Sequence, residues 1–322
     1  MALLALTRPG TLSHYSVAQG VTLPLLALAY WLPYRQRTRT LASEGRSVAG
    51  WRRACFAAGL VVCAIALSAP IGGLSDELLT AHMIEHLLLG DIGALLLVLG
   101  LTVPMLAPLL RIKAIDRLRV LTHPLVALPV WAINFYLWHI PFLYEAALRN
   151  DLIHGLEHAT FIAFGMAMWM ALLGPFPRPA WFGNGAKLIY IVIVRLVGTV
   201  LGNIFMWSGT VFYPYYIAGD ARFHISPLGD QSMAGAVMMV EESLLTIGML
   251  AWLFIKAAKE GEERQSLMDF AYENKLELTE ARATRAVAAG RGAELRERLA
   301  RMASAPAGRA RAGHNSGEGA HP

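Results

Sequence analysis

Two histidine pairs have the spacing of chelators. His82-Met83-Ile84-Glu85-His86 and His154-Gly155-Leu156-Glu157-His158 both read HxxEH. On an α-helix, positions i and i+4 differ by about 40° of rotation and one turn, so each pair of imidazoles shares a face, and the glutamate at i+3 shares it too. Two imidazoles so placed chelate one metal ion. The carboxylate beside them can act as a ligand, as an acceptor for a ring N–H, or as a base. His139, in Trp138-His139, is a further candidate ligand. Imidazole suits copper, zinc and iron alike, whereas thioethers favour Cu(I); Met83, Met206, Met233, Met238 and Met239 are the methionines within reach, of which Met233 and Met238 are the supporting candidates.

These residues must be positioned by helices in a bilayer. The chain of 322 residues is 56% hydrophobic and 16% charged, with a mean hydropathy of +0.46, which is too apolar for an ordinary soluble domain. Segments of about 20 apolar residues cross a hydrocarbon core. Seven such segments can be read, at residues 13–32, 54–69, 82–101, 121–144, 152–173, 188–207 and 233–255. The fold expected is all-α, a polytopic bundle of seven transmembrane helices. The N-terminus lacks the basic start, apolar run and small-residue cleavage site of a removable signal peptide, so the first helix is expected to remain.

Basic residues orient the bundle, because short cytoplasmic loops collect positive charge. Of the 28 Lys and Arg, 24 fall in the first, third and fifth connections or from Lys256 onward, while the opposite side holds Arg8, Arg149 and Arg222. That partition places the N-terminus outside and the C-terminus in the cytoplasm, and it accounts for the net charge of +5 without nucleic acid as a partner. The third and fifth helices then both run inward, so both HxxEH motifs lie at one depth near the outer face. His139 reaches the same layer from the outward-running fourth helix. His14, His123 and His224 read singly as interfacial hydrogen-bonding residues.

Deeper polar residues are costly in a bilayer and need partners. Asp91 lies nine residues past His82, about 13 Å along the helix. Arg195 in the sixth helix is expected to pair with Glu241 or Glu242 in the seventh. Glu85, Glu157, Asp91, Met233 and Met238 are expected to support the histidine layer. The two cysteines, Cys55 and Cys63, form no CxxC motif and read as buried small hydrophobes. Tyr213-Pro214-Tyr215-Tyr216, in the last outer loop, reads most simply as an interfacial belt, with a lid over the histidines as the alternative. Phosphate loops and a GxSxG nucleophile motif are absent.

Three regions follow: a membrane domain at 1–256, a cytoplasmic helical tail at 257–303 interrupted at Ala289-Gly290-Arg291-Gly292, and a disordered Ala/Gly/Pro/Ser/Arg-rich C-terminus at 304–322.

The chain resembles the CtaG family of multi-span cytochrome c oxidase assembly factors. The resemblance rests on His82-Met83 to Gly100, Leu137-Trp138-His139 through Tyr144-Glu145-Ala146, His154 to Trp169, Tyr213-Pro214, and Asp230-Gln231 through Gly235. Gly90-Asp91-Ile92-Gly93 departs from the apolar, proline-rich stretch of that family, and the charged tail is an addition to it. The resemblance implies a bacterial plasma-membrane protein that binds or delivers copper at the outer face. Its client would be a haem-copper oxidase subunit, with a copper-donating chaperone as a second partner and membrane lipids around it. It implies no catalytic residue. The motifs themselves leave two alternatives open. One is a membrane metalloenzyme, hydrolase or oxidoreductase, with Glu85 or Glu157 as base; the other is bis-histidine haem ligation between the third and fifth helices. Zinc and iron remain open beside copper.

Overall fold

The computed structural model describes residues 11–304, and their side chains from residue 23 onward except Ala69. Residues 305–322 of the expected disordered terminus, the side chain of His14, and His314 and His321 lie outside the described residues.

Every regular element among the described residues is helical. The order begins with α1 (Thr11–Ser43), α2 (Gly50–Ala66), α3 (Ala69–Ser75) and α4 (Leu79–Leu87). A π-helical turn, Leu88–Gly93, joins α4 to α5 (Ala94–Gly100). Then come α6 (Val103–Leu110), α7 (Lys113–Leu118), a 3-10 turn at Arg119–Thr122, α8 (Pro124–Trp138), α9 (Pro141–Arg149), α10 (Asp151–Leu173) and α11 (Asn184–Trp207). α12 (Ile217–Arg222), α13 (Pro227–Glu273), α14 (Glu280–Ala288) and α15 (Gly292–Ser304) complete the chain.

Residues through Gly248 form one compact unit and those from Met249 another. Among the described residues, four helices are long and apolar enough to cross a membrane: Leu79–Gly100, α10, α11 and α13. A fifth is reached if α7 with its 3-10 turn and α8 count as one span, bent by 84°. Large apolar side chains on these helices face outward, among them Ile133, Ile189, Leu196, Val240 and Leu244, each more than half exposed. Lipid, not water, is the solvent such a surface fits. The chain is a multi-pass membrane protein.

The segment 121–144, read from sequence as one continuous helix, is divided. Pro124 opens α8 after the bend, and α8 ends at Trp138, with Pro141 at the first turn of α9. A proline ring has no N–H for the helical ladder and excludes the helical conformation of the residue before it, so each break falls beside one. The break after Trp138 leaves His139 at the end of α8.

Glycines set the distance between the helices that carry the two motifs. A Cβ on Gly165 of α10 would fall on the Gly90 carbonyl oxygen in the π turn. A backbone carbonyl approaches that closely only where the helix facing it carries no side chain, as at Gly165; a Cβ on Gly90 would meet Phe161 at ordinary contact distance. On the other side, Gly59 of α2 takes Leu97, and Gly100 of α5 takes Phe56. α11 and α13 meet in the same way, Gly202 against Met239 and Gly235 against the Gly202 carbonyl.

In the second unit, Leu267, Val287, Leu295 and Leu299 form a small core. Thr279 caps α14 by accepting the Arg282 N–H at 3.3 Å. Gly290, at φ +66°, makes the turn into α15, a left-handed conformation that glycine adopts freely.

Candidate metal centre

Each motif-bearing helix is held at its start by a carboxamide or carboxylate. α10 is capped locally: the Asn150 side chain accepts the N–H groups of Leu152 and Ile153 at 3.0 and 3.2 Å. α4 has no cap of its own, since Leu78 precedes it. Asp230, some 150 residues away on the first turn of α13, supplies one. Its two oxygens accept the Leu79 and Thr80 N–H groups at 2.6 and 3.1 Å, and its carbonyl accepts the Thr80 hydroxyl at 3.0 Å. A buried carboxylate at a helix N-terminus satisfies orphan donors and meets the positive end of the dipole. Asp230 thereby fixes the height and rotation at which His82, Glu85 and His86 are presented.

The two motifs interlock reciprocally. His86 Nε2 lies 3.8 Å from Glu157 Oε1, and His158 Nε2 lies 3.8 Å from Glu85 Oε1, so each second histidine meets the other helix's glutamate. The rings of His82 and His154 stack at 5.3 Å, and those of His86 and His158 meet edge-on at the same separation. One ligand atom each from His82, His86, His154 and Glu157 lies within 4.8 Å of the others; Glu85, His154 and His158 form a second such set. His154 belongs to both.

This chemistry fits a metal ion. Both ring nitrogens of His82 and of His86, both oxygens of Glu157, Glu85 Oε2, and Nε2 of His154 and His158 are buried without a hydrogen-bond partner. Buried polar atoms are ordinarily paired, and so many orphans converging on one point mark a space for a ligand. Contacts of 3.8 Å are too long for hydrogen bonds. They do suit two donors on one ion, which stand about 3.3 Å apart in a tetrahedral site and up to about 4 Å apart across a flatter one. The cluster is a buried His/Glu group able to hold a metal.

His139 joins neither set, but it borders them. Its Nδ1 donates to the Phe135 carbonyl at 2.6 Å, which leaves Nε2 as a lone pair, and that atom is buried without a partner. Imidazoles that serve metals have their tautomer fixed in this way. Of the two methionines, Met238 is buried in the apolar cluster with Met83 and Phe205. Met233 is 57% exposed and stands apart from the ligand groups. Helical register explains the difference: Asp230, Gln231, Ala234 and Met238 occupy the buried face of α13, and position 233 falls outside that stripe.

Three tyrosines roof the histidines, in place of an interfacial belt. Tyr144, Tyr213 and Tyr216 are each at most 2% exposed. Tyr144 stacks on Tyr213 at 4.0 Å, shares a hydrogen bond of 3.1 Å with Tyr216, and lies 5.0 Å from the His82 ring. The Tyr213 hydroxyl donates to the His139 carbonyl at 2.8 Å. Gln231 pins the loop that carries Tyr213: its oxygen accepts the Phe212 N–H at 2.9 Å, and its amide donates to the Thr210 carbonyl at 3.1 Å. Burial pushes the Tyr216 hydroxyl well above its ordinary range, so it stays a neutral hydrogen-bonding group.

Deeper in the bundle, Arg195 donates to Glu242 Oε2 at 2.9 Å and to the Met239 carbonyl at 3.1 Å. Gly198 leaves the room that the Glu242 carboxylate occupies. Glu241 has both oxygens buried without a partner, and Asp91, on the π turn, is close enough to interact with both glutamates.

Asp230, Asn150 and Tyr144 are not singled out as site residues by the sequence, whereas Tyr213 and Tyr216 are read there as a belt with a lid as the alternative. Asn150 before an apolar run carries a readable cap signal. The role of Asp230 has no local signature, because its partner helix lies so far away in the chain.

Asp220, on α12, adds a pH dependence. Burial, and then the neighbouring Asp230 carboxylate with which it hydrogen-bonds, push its carboxyl up to about 7. A folded-state value above the unfolded one means that the associated stability is complete below about pH 4 and is lost as pH rises through about 7. Asp220→Asn should therefore raise the thermal midpoint at pH 8, with a gain that shrinks toward zero at pH 4. Equal gains at both pH values would show that its surroundings do not raise the Asp220 carboxyl.

A family model for cytochrome c oxidase caa3 assembly factors matches residues 28–260. No curated protein and no solved structure matches the chain.

Proposed function

Because the chain belongs to the family of cytochrome c oxidase caa3 assembly factors, we propose that it loads copper into a haem-copper oxidase, holding the ion as cargo between the two HxxEH motifs. The observation that carries this reading is the set of orphaned, buried donor atoms from His82, His86, His154 and Glu157, gathered within 4.8 Å.

The donors are imidazole and carboxylate, with no thiolate near them, which suits a site that must release its ion. The two donor sets share His154, so an ion can pass from one to the other by exchanging ligands around that ring. Such a transfer makes and breaks coordination bonds only, and no catalytic residue is required of the chain. His139, with its free Nε2, supplies a further donor beside the first set. The packing of four donors around one point favours a bare ion over a haem macrocycle. It also favours a holding site over a hydrolytic one, because both carboxylates that could act as base, Glu157 and Glu85, are themselves among the donors of the two sets.

Seven spans with the N-terminus outside and the C-terminus inside complete the reading, in the plasma membrane of a bacterium. Its support is the basic partition: Arg35, Arg37, Arg39, Arg111, Lys113, Arg117 and Arg119 lie in connections on one side, and the motifs open helices at the other. The copper layer then faces the periplasm or cell exterior, where an oxidase subunit and a copper-donating chaperone can reach it. Residues 1–256 form the membrane domain and 257–303 a cytoplasmic tail.

The test is oxidase assembly in cells. Deleting the gene should leave a haem-copper oxidase that contains haem but lacks copper, restored by the wild-type chain and not by a variant with all four motif histidines replaced by Ala. A fully metallated, active oxidase in the deletion strain would refute the role.

A further inference from the structure

The end of α10 opposite the motifs borders a cavity. Met170 lies sixteen residues past His154, about 24 Å along the helix. Together with the 3-10 turn and the Phe176–Pro179 loop it encloses about 450 Å³. Arg117, Arg119, His123 and Arg178 line this space, with Asp116 as the only acidic side chain there among the described residues. Asp116 reaches Arg119 alone, at 3.7 Å, in a pair that is about half exposed. Arg117 has no ion-pair partner among the described residues. Arg178 is anchored by donating to the Ala171 and Gly174 carbonyls at 3.3 and 2.9 Å. His123 accepts the Leu125 N–H on Nδ1, which leaves its Nε2–H as a donor. The wall is thus a set of cationic and neutral donors with a net positive charge.

The surroundings are amphipathic. The segment Lys113–Thr122 lies at 84° to α8, across the end of that span. Its arginines alternate with Leu118 and Val120, both 58% exposed, and Ile112 just ahead of it is 52% exposed. A short basic helix at right angles to a span, with bare aliphatic side chains between its charges, has the form of an element lying in a membrane surface.

We propose that this cavity binds the phosphate-bearing headgroup of an anionic phospholipid, on the membrane face opposite the metal layer. The exposed aliphatic residues decide between a lipid and a free anion. They give acyl chains a surface beside the headgroup, and dissolved phosphate has no use for them.

The full-length protein in detergent, observed by native mass spectrometry, tests this. Phosphatidylglycerol and phosphatidylcholine with identical acyl chains are offered at equal concentration. Wild type should retain phosphatidylglycerol in preference. Arg117→Gln with Arg119→Gln should lose that preference by roughly fivefold for each arginine removed, and lysine at both positions should restore most of it. These side chains are exposed, so an unchanged thermal midpoint confirms that folding is intact. Arg35→Gln with Arg39→Gln removes the same charge elsewhere and should leave the preference unchanged. The proposal is overturned if wild type does not discriminate between the lipids, if the control variant loses as much as the cavity variant, or if inorganic phosphate at the lipid's concentration displaces it.

Discussion

Asp230→Ala should destabilise the folded protein by about 3–5 kcal/mol and release the metal, although Asp230 is not itself a ligand. Its carboxylate accepts two backbone N–H groups at the start of α4, and Leu79, which donates one of them, is 2% exposed. Hydrogen bonds to a charged acceptor contribute about 1.5–3 kcal/mol each, and a buried N–H left without a partner keeps its full desolvation cost. Relief of the repulsion with Asp220 offsets part of this. Asp230→Asn keeps an acceptor oxygen and should fall between the two. The effect on metal follows from geometry, since the first turn of α4 sets the rotation of His82, Glu85 and His86, and loosening it disperses the donors. Thermal melts and chelator-competition titrations measure both effects. A variant that melts early yet binds metal as tightly as wild type would show that Asp230 serves stability alone.

His82→Ala combined with His154→Ala should weaken copper binding by at least about a hundredfold. Removing a group that merely orients a ligand costs 10–100-fold in metal affinity, so removing ligands costs at least the upper figure. The pair is chosen because His154 belongs to both donor sets and His82 stacks against it. Stability should change little, unlike that of the Asp230 variant. Neither ring nitrogen of His82 makes a hydrogen bond of normal geometry, so truncation forfeits none, and the metal-free variant should melt within a few degrees of metal-free wild type. Equal metal affinity in the two proteins would remove these histidines from the site. Unfolding on substitution would mean that the rings are held by contacts other than those described.

The helical spacing of HxxEH is what made the site legible before the fold was known. Residues at i, i+3 and i+4 share a face in any α-helix, so each half of the cluster followed from local geometry, and duplication implied a partner. The reciprocal contacts of His86 with Glu157 and His158 with Glu85 depend instead on how deeply α4 and α10 interpenetrate. That depth is set by Gly165 against the carbonyl of residue 90, a tertiary fact with no periodic signal. The departure Gly90-Asp91-Ile92-Gly93 is visible as composition, but the π turn over Leu88–Gly93 that carries Asp91 is not. Such turns often sit at functional sites. The prolines at 124 and 141 marked breaks that hydrophobicity alone bridged, and the continuous helix read over 121–144 gave way to them. Met233 shows the limit of placement by depth: it lies near the right layer and on the wrong face of its helix.

The most direct test of the central claim is X-ray absorption at the copper edge on the full-length wild-type protein, loaded with copper under reducing and under oxidising conditions and then freed of excess. Bound copper with a first shell of nitrogen and oxygen scatterers, showing the outer-shell pattern of several imidazoles, is the predicted result. A protein that holds no copper under either condition, or a first shell dominated by sulfur, would contradict it.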